Sequence, residues 1–264
     1  MSELNKKRNA LRLTSIKKRY GGVVALDGVS IDFPRNTITA IVGDNGAGKS
    51  TTLKIISGAE YPDSGEIFVS DREVKFRAPE DARQAGIETV YQDLALADNL
   101  TATENLFMGR EENWGRGGFA FLRQKKMQKM AEEIFESFSI NIPSVRVPVS
   151  GLSGGQRQGV AIARAVNWGS DIVLLDEPTA ALGVTETSKV EDVINGLREK
   201  GLTQVIVSHN LDQVFRLSDR IGVMRRGKLV AILETSSTDP QSVVGLITGL
   251  SQGDKDGLND ASSS

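Results

Sequence analysis

The chain has 264 residues, of which 39% are hydrophobic and 25% charged, and its formal net charge is -2. This is the composition of an ordinary globular protein, and the charge gives no basic excess for binding nucleic acid. It contains no cysteine and one histidine, His209, which excludes disulfides, thiolate metal sites and histidine-based metal clusters and leaves oxygen ligands for any metal. No apolar run approaches the roughly 18 residues of a membrane span, and the first residues lack the apolar core of a signal peptide, so we expect the chain to stay in the cytoplasm.

The N-terminal part of the chain is rich in short β-type segments. LRLTSI and VSIDF lie between residues 11 and 33 and are separated by a turn at Tyr20-Gly21-Gly22, and a further strand, EIFVS, follows Gly65. This pattern predicts antiparallel strands at the N-terminal edge of the fold. Residues 1–10 and 251–264 have no capacity to form a core and are predicted to be flexible tails.

Three compact apolar segments follow, ITAIV at 38–42, DIVLL at 171–175 and QVIVS at 204–208. Continuous apolar runs of this length are typical of parallel strands that are buried on both faces of a sheet. Helical patterns separate them, and one helix is predicted near 186–200 from the spacing of Val190, Val193, Ile194 and Leu197. The segments flanking Arg225-Arg226-Gly227 predict a hairpin. The fold class is therefore predicted to be α/β.

Residues 93–150 differ from their surroundings because they contain few β-type runs. They carry a helical stripe of Met127, Met130, Ile134, Phe135 and Phe138, most simply a face packed on its own subdomain. The sequence predicts one domain over residues 11–250. Its α/β core with the antiparallel β-subdomain comprises 11–92 and 151–250, and a mainly helical subdomain at 93–150 is inserted into it.

A phosphate-binding loop follows the first apolar strand. The segment matches G-x-x-x-x-G-K-[ST] between a strand and a helical pattern, which is the context that this motif requires. Its backbone N–H groups and the helix N-terminus would hold phosphate oxygens, the lysine would reach the β- and γ-phosphates, and the serine hydroxyl would bind Mg²⁺. The predicted ATP-binding residues are Gly43, Asn45, Gly46, Ala47, Gly48, Lys49, Ser50 and Thr51. They make the α/β core a P-loop NTPase core.

Two carboxylates, Asp176 and Glu177, end the apolar strand DIVLL. Successive residues of an extended chain point in different directions, so one carboxylate can serve a metal and the other a water. With a phosphate loop in the same chain, Asp176 is predicted to hold Mg²⁺ and Glu177 to be the general base of phosphoryl transfer. Without that loop, the pair would more simply be a strand end that meets solvent.

A second glycine pair lies in LSGGQ at 152–156, ahead of the helical segment QRQGVAIARAVNW. A serine and two glycines that open a helix form an anion-binding N-terminus, made here of Ser153, Gly154, Gly155 and Gln156. Together with the phosphate loop, this segment gives the chain two anion-binding helix N-termini, here called cradles. One nucleotide has little need of both in one chain.

With GDNGAGKST, LSGGQ and IVLLDEPTA in this order, the chain resembles the ATPase domains of ABC transporters from about residue 11 to residue 250. The resemblance implies that two copies pack head to tail, with each ATP between the phosphate loop of one and the LSGGQ segment of the other. It also implies that Tyr20 stacks on adenine, that Gln92 senses Mg²⁺ and the attacking water, and that His209 contacts the γ-phosphate. Lys49 is then catalytic together with Glu177, Gln92 and His209.

One departure from the wider family narrows the resemblance. The segment after Pro178 usually ends in an aspartate that reaches across the dimer, whereas Gly183 stands here. DEPTAALGVTET resembles the ATPases of bacterial ribose, xylose and fructose importers, where that glycine is usual. This resemblance implies a homodimer bound to membrane permease subunits at the cytoplasmic face of the bacterial inner membrane, with a periplasmic or extracellular sugar-binding protein as an indirect partner and no nucleic acid.

Alternative functions are a transporter ATPase for another cargo, a soluble relative that acts on DNA or ribosomes, and a regulatory protein that binds ATP without hydrolysis. DNA-repair relatives would need a long coiled coil between Gln92 and Leu152, and translation factors would need two sets of motifs; the sequence has neither feature. A protein that does not hydrolyse ATP would be expected to lack Lys49, Glu177 or His209, and all three are present.

Overall fold

The protein is described by a computed structural model that covers residues 9–114 and 121–249. The strands are β1 (Asn9–Tyr20), β2 (Val23–Pro34), β3 (Ile38–Val42), β4 (Ser64–Val69), β5 (Arg72–Val74), β6 (Ile87–Val90), β7 (Asn113–Trp114), β8 (Phe121–Leu122), β9 (Ile172–Asp176), β10 (Thr203–Val207), β11 (Arg220–Arg225) and β12 (Lys228–Glu234). The helices are α1 (Lys49–Ile56), α2 (Pro79–Gln84), α3 (Ala102–Phe107), α4 (Gln124–Ser137), α5 (Gly154–Val166), α6 (Val184–Glu199), α7 (Leu211–Leu217) and α8 (Pro240–Thr248).

Two larger sheets organise these elements. A six-stranded sheet has the order β12-β11-β3-β10-β9-β6, and its strands are parallel except for β12, which pairs antiparallel with β11. A four-stranded antiparallel sheet has the order β2-β1-β4-β5. The parallel strands, the antiparallel N-terminal strands and the hairpin around Arg226 are therefore confirmed.

The central strands are buried on both faces, as their apolar sequences require. Every residue of β3 and β10 is buried. In β9 the side chains alternate, so that Val173 and Leu175 join one core cluster with α3 to α6, whereas Ile172 and Leu174 join a second cluster with α1 and the antiparallel sheet. Fully burying each of these side chains contributes about 1.5–3 kcal/mol, so the two clusters fix both the helices and the second sheet to the parallel one.

In its described residues, the segment between β6 and α5 contains the α-helices α3 and α4 and a feature that the sequence did not predict. The stripe on α4 is confirmed as helical, with Met127 and Phe135 buried and the other three members packed against the same core cluster. Two short strands, β7 and β8, pair antiparallel before α4. Each of them has only two residues, too few for an alternating pattern to be recognised.

The predicted N-terminal tail is too long by two residues. Asn9 and Ala10 belong to β1, Ala10 is buried, and its carbonyl accepts a hydrogen bond from the Ser70 N–H at 2.9 Å. Antiparallel pairing extends β1 to these two residues, although the polar sequence around them does not indicate a strand. The other tail residues, 1–8 and 251–264, lie outside the described residues. Among the helices that the structure describes, none has the length and apolar character needed to cross a bilayer.

Candidate functional site

Most of the predicted site residues follow parallel strands at one edge of the six-stranded sheet. Ile41, Val207 and Asp176 stand in register across β3, β10 and β9, and Val90 of β6 pairs with Leu175. Because parallel strands end at the same edge, the segments that follow them are neighbours there. The phosphate loop, Gln92, the acidic pair and His209 are these segments.

The phosphate loop requires glycine at two positions where other atoms come close. Gly43 has φ 150° and Gly48 has φ 105°. A Cβ atom on Gly43 would lie 2.2 Å from the Met224 carbonyl oxygen, and one on Gly48 would lie 2.7 Å from Cδ2 of Leu26. The antiparallel sheet and β11 therefore hold the loop from behind, and its exposed side carries Asn45 and Gly46.

Lys49 begins α1, and its side chain turns back over the loop. Its Nζ donates hydrogen bonds to the carbonyl oxygens of Gly43 at 2.7 Å and Asp44 at 3.0 Å, and the residue is only 8% exposed. The hydroxyl-bearing Ser50 is exposed in the first turn of the same helix. The loop thus places a fixed ammonium group and a free helix N-terminus side by side, an arrangement that suits a phosphate chain.

Glu177 and His209 meet at this edge. Nδ1 of His209 lies 2.8 Å from Oε2 of Glu177, whose side chain is 16% exposed. The Glu177 N–H also donates to the Val207 carbonyl at 2.9 Å, and the residue has φ 49°, a left-handed conformation that costs on the order of 1–3 kcal/mol outside glycine. The chain maintains this strain while it holds the carboxylate against the only histidine.

Asp176 is partly buried beside Glu177. Burial, together with the neighbouring Glu177 carboxylate, raises the pKa of Asp176, and Lys49 and Lys54 partly oppose this effect. A cation bound beside two adjacent carboxylates would stabilise their charged forms. Oxygen donors of this kind, with the Ser50 hydroxyl, fit Mg²⁺.

A buried glutamine, Gln213 of α7, was not identified from the sequence. Its Nε2 donates to the Thr179 hydroxyl at 2.7 Å, and its Oε1 accepts from the Ser208 hydroxyl at 3.1 Å. Thr179 follows the acidic pair and Ser208 precedes His209, so Gln213 joins the two segments that carry Glu177 and His209. Its position on a helix gives no sequence signal, because a single amide there is usually exposed.

We expect Gln213→Leu to lower the free energy of unfolding by about 1–3 kcal/mol, because the substitution leaves two buried hydroxyl groups without their partner. Urea unfolding followed by circular dichroism measures the change. Gln241→Leu, at an exposed position of α8, is the control and should have little effect. Equal stabilities for the two variants would contradict the importance of this network.

Tyr20 and Gln92 lie beside the site with fewer contacts. Tyr20 is 43% exposed, its ring centroid lies 5.4 Å from Nζ of Lys18, and partial burial together with the Glu60 carboxylate raises the pKa of its hydroxyl, which also interacts with Thr51 of α1. Gln92 is exposed two residues after β6. The structure therefore places Tyr20 next to the phosphate-loop helix and Gln92 at the edge where the acidic pair ends β9.

The Ser153 segment is built as a capped helix start. Ser153 is the N-cap of α5. Its N–H donates to Oε1 of Gln156 at 3.0 Å, and the backbone N–H of Gln156 donates to the Ser153 hydroxyl at 3.4 Å. The Gln156 amide also donates to the Asn141 carbonyl at 3.0 Å. Within residues 9–114 and 121–249, no hydrogen bond joins this segment to the phosphate loop. The two predicted phosphate-binding segments stand at the N-termini of different helices, α1 and α5.

Two cavities accompany these features. One of about 240 Å³ lies against the outer side of the phosphate loop and is lined by Asn45, Gly46, Arg225 and Arg226. The other, of about 320 Å³, lies between α2, β6 and α5, and none of the predicted site residues lines it. The site itself is therefore an open edge with a small adjoining cavity.

Comparisons with known proteins agree with this geometry. A family model described as ABC transporter matches residues 26–180. The xylose/arabinose import ATP-binding protein XylG of Sulfolobus acidocaldarius is 42% identical over 92% of this chain and 95% of its own length, and the fructose import ATP-binding protein FrcA of Rhizobium meliloti is 44% identical over 90% and 94%. A solved dimeric cassette in a post-hydrolysis state, bound to ADP and Pi, has a TM-score of 0.70 at 26% identity and covers 85% of this chain and 98% of that one. The predicted fold class and the family resemblance are confirmed.

Proposed function

The chain belongs to the ABC transporter family, and we propose that it is the subunit whose ATP hydrolysis drives a bacterial monosaccharide importer. The observation that carries this proposal is the meeting of Lys49, Glu177 and His209 at one edge of the parallel sheet. The assignment to sugar import is supported by the two relatives named above, which are sugar import proteins and match almost the whole length of this chain.

The nucleotide would lie along the phosphate loop. The N–H groups between Gly43 and Thr51 would hold its phosphate oxygens, Lys49 would exchange its two carbonyl partners for phosphate oxygens, and Tyr20 would stack on the adenine. Asn45 on the exposed side of the loop would face the γ-phosphate. Gly43 and Gly48 support this role because their positive φ angles, which glycine adopts readily, give the loop the curled path that a phosphate-binding loop requires.

Mg²⁺ would be held by Ser50, Asp176 and Gln92. These oxygen donors suit the ion, and a partly buried carboxylate whose pKa is raised by burial and by the neighbouring Glu177 would be stabilised in its charged form by a bound cation. When bound, the ion would neutralise charge on the β- and γ-phosphates.

Glu177 would take the proton of the attacking water, because it is the carboxylate that His209 holds in place at 2.8 Å. His209 would position this base and contact the γ-phosphate. Phosphoryl transfer depends mainly on positioning and charge stabilisation, so a rigid carboxylate and a fixed lysine supply most of what the reaction requires.

Two copies would close head to tail over two nucleotides, with Ser153, Gly154, Gly155 and Gln156 of each copy completing the site of the other. The placement of this segment on a different helix from the phosphate loop is compatible with that arrangement, and the similarity to a dimeric cassette supports it. ATP would favour the closed state and hydrolysis the open one, so differential affinity would do the work of transport.

We further propose a single ATPase domain at 11–250, with its helical subdomain at 93–150 transmitting movement to permease subunits in the membrane. The subunit would lie on the cytoplasmic face of the bacterial inner membrane, and a periplasmic or extracellular binding protein would deliver the sugar to the permease.

The transport assignment is tested by purifying the Glu177→Gln subunit with ATP from its native membranes and identifying what accompanies it. We expect an integral membrane permease, because closure on ATP should stabilise the complex. The Lys49→Ala subunit is the matched control and should retain less of the partner. A ribosome, DNA or no membrane protein at all would contradict the transport assignment and leave the ATPase assignment intact.

A further inference from the structure

A carboxylate of the same chain already faces the N-terminus of α5. Oε1 of Glu186 lies 3.5 Å from the Gly155 nitrogen, which donates to it. A Cβ atom on Gly155 would lie 3.1 Å from Cβ of Glu186, and one on Gly154 would lie 3.5 Å from Oε2. The first turns of α5 and α6 are therefore closely packed at Gly155, where a larger residue would require Glu186 to shift, and the Glu186 carboxylate lies beside the N-terminus of α5.

The groups that Glu186 engages are the ones that suit a phosphate. The Ser153 hydroxyl, followed by the Gly155 N–H, lowers the pKa of the Glu186 carboxyl, and the contact with Gly155 is the hydrogen bond that the geometry shows. A carboxylate and a terminal phosphate compete for the same helix N-terminus because both are anions with several acceptor oxygens.

We propose that Glu186 occupies the cradle formed by Ser153 and Gly155 in the single subunit and must leave it before the ATP of a partner subunit can bind there. This inference rests on the proposed head-to-tail dimer. In that dimer, Glu186 raises the ATP concentration at which two subunits close, and so limits hydrolysis by subunits that meet by chance.

The surroundings of Glu186 allow it to move. It lies in the first turn of α6, whose first residue, Val184, is 91% exposed. Displacing the carboxylate therefore requires a side-chain rotation near solvent and no rearrangement of a core. A purely structural cap would act differently, because its removal would destabilise the subunit without making the ATP dimer tighter.

The test measures dimer formation against ATP concentration by light scattering, with Glu177→Gln as the parent. We expect Glu186→Gln, added to this parent, to lower the ATP concentration for half-maximal dimer by about five- to tenfold, since it removes the competing charge. Glu199→Gln makes the same change at the exposed end of α6 and should leave that concentration unchanged.

Glu186→Asp keeps the charge in the first turn of α6 but shortens the side chain by one methylene group. It should also lower the required ATP concentration, by a smaller factor, if contact with the cradle matters. If Glu186→Gln lowers the ATP concentration for half-maximal dimer and Glu186→Asp does not, the charge of residue 186 acts by long-range repulsion, and the proposal that it occupies the cradle is wrong. If neither variant lowers that concentration, the whole inference is wrong. Failure of the Glu177→Gln parent to dimerise with ATP would instead remove the proposed dimer, and the inference with it.

Discussion

Replacing Glu177 by glutamine is expected to lower the rate of ATP hydrolysis by about 10²–10⁴-fold while ATP still binds, because the amide cannot accept the proton of the attacking water. The side chain keeps its size and can still meet Nδ1 of His209, so the strained turn at φ 49° should persist. Phosphate release measures the hydrolysis rate, and a fluorescent ATP analogue measures binding. A dimer that accumulates with ATP and Mg²⁺ is the expected companion result.

Glu136→Gln is the matched control, since it makes the same chemical change at an exposed position of α4. It should hydrolyse ATP at the parental rate. Parental hydrolysis in Glu177→Gln as well would show that another group takes the proton, and the contact between Glu177 and His209 would then have a purely structural meaning. Loss of ATP binding would point to a collapsed site and not to a missing base.

The parallel strands were predictable because their residues face two cores. β3, β9 and β10 are largely continuous apolar runs, and such runs are typical of parallel strands buried on both faces of an α/β sheet. The phosphate loop was predictable for a related reason, since its glycines and lysine are fixed in spacing by the backbone path that they follow. Their roles toward the nucleotide, like the boundaries of the domain, stay predictions.

Other features depend on tertiary contacts that leave no local pattern. β1 and β2 have 12 residues each, longer than the apolar segments that predicted them, because pairing with a neighbouring strand orders their polar ends. Glu186 reads in the sequence as an ordinary acidic residue in the first turn of a helix. Only the approach of α5 brings it to Gly155, just as only the fold joins Gln213 to Thr179 and Ser208.

Replacing Lys49 by alanine is expected to weaken ATP binding by about 100-fold or more. The ammonium group is held over the loop by the carbonyl oxygens of Gly43 and Asp44, at 2.7 and 3.0 Å, and is therefore preorganised for the phosphates. Hydrogen bonds to charged groups contribute about 1.5–3 kcal/mol each, and a loss of about 2.7 kcal/mol corresponds to a hundredfold weaker affinity. Titration with a fluorescent ATP analogue measures this change.

Lys54→Ala is the control that shows whether ATP affinity depends on the position of the Lys49 charge or only on the total positive charge of α1. Lys54 lies on the same helix and is exposed in its last turn, so its removal lowers the charge of α1 by the same amount without touching the loop. It should weaken ATP binding only slightly, because a solvent-exposed charge is screened by water and salt. Equal losses for the two variants would mean that the general positive potential of α1 attracts the nucleotide. A loss confined to Lys49→Ala would mean that the direct contact of its ammonium group with phosphate oxygens carries the affinity, as the buried position of this side chain requires.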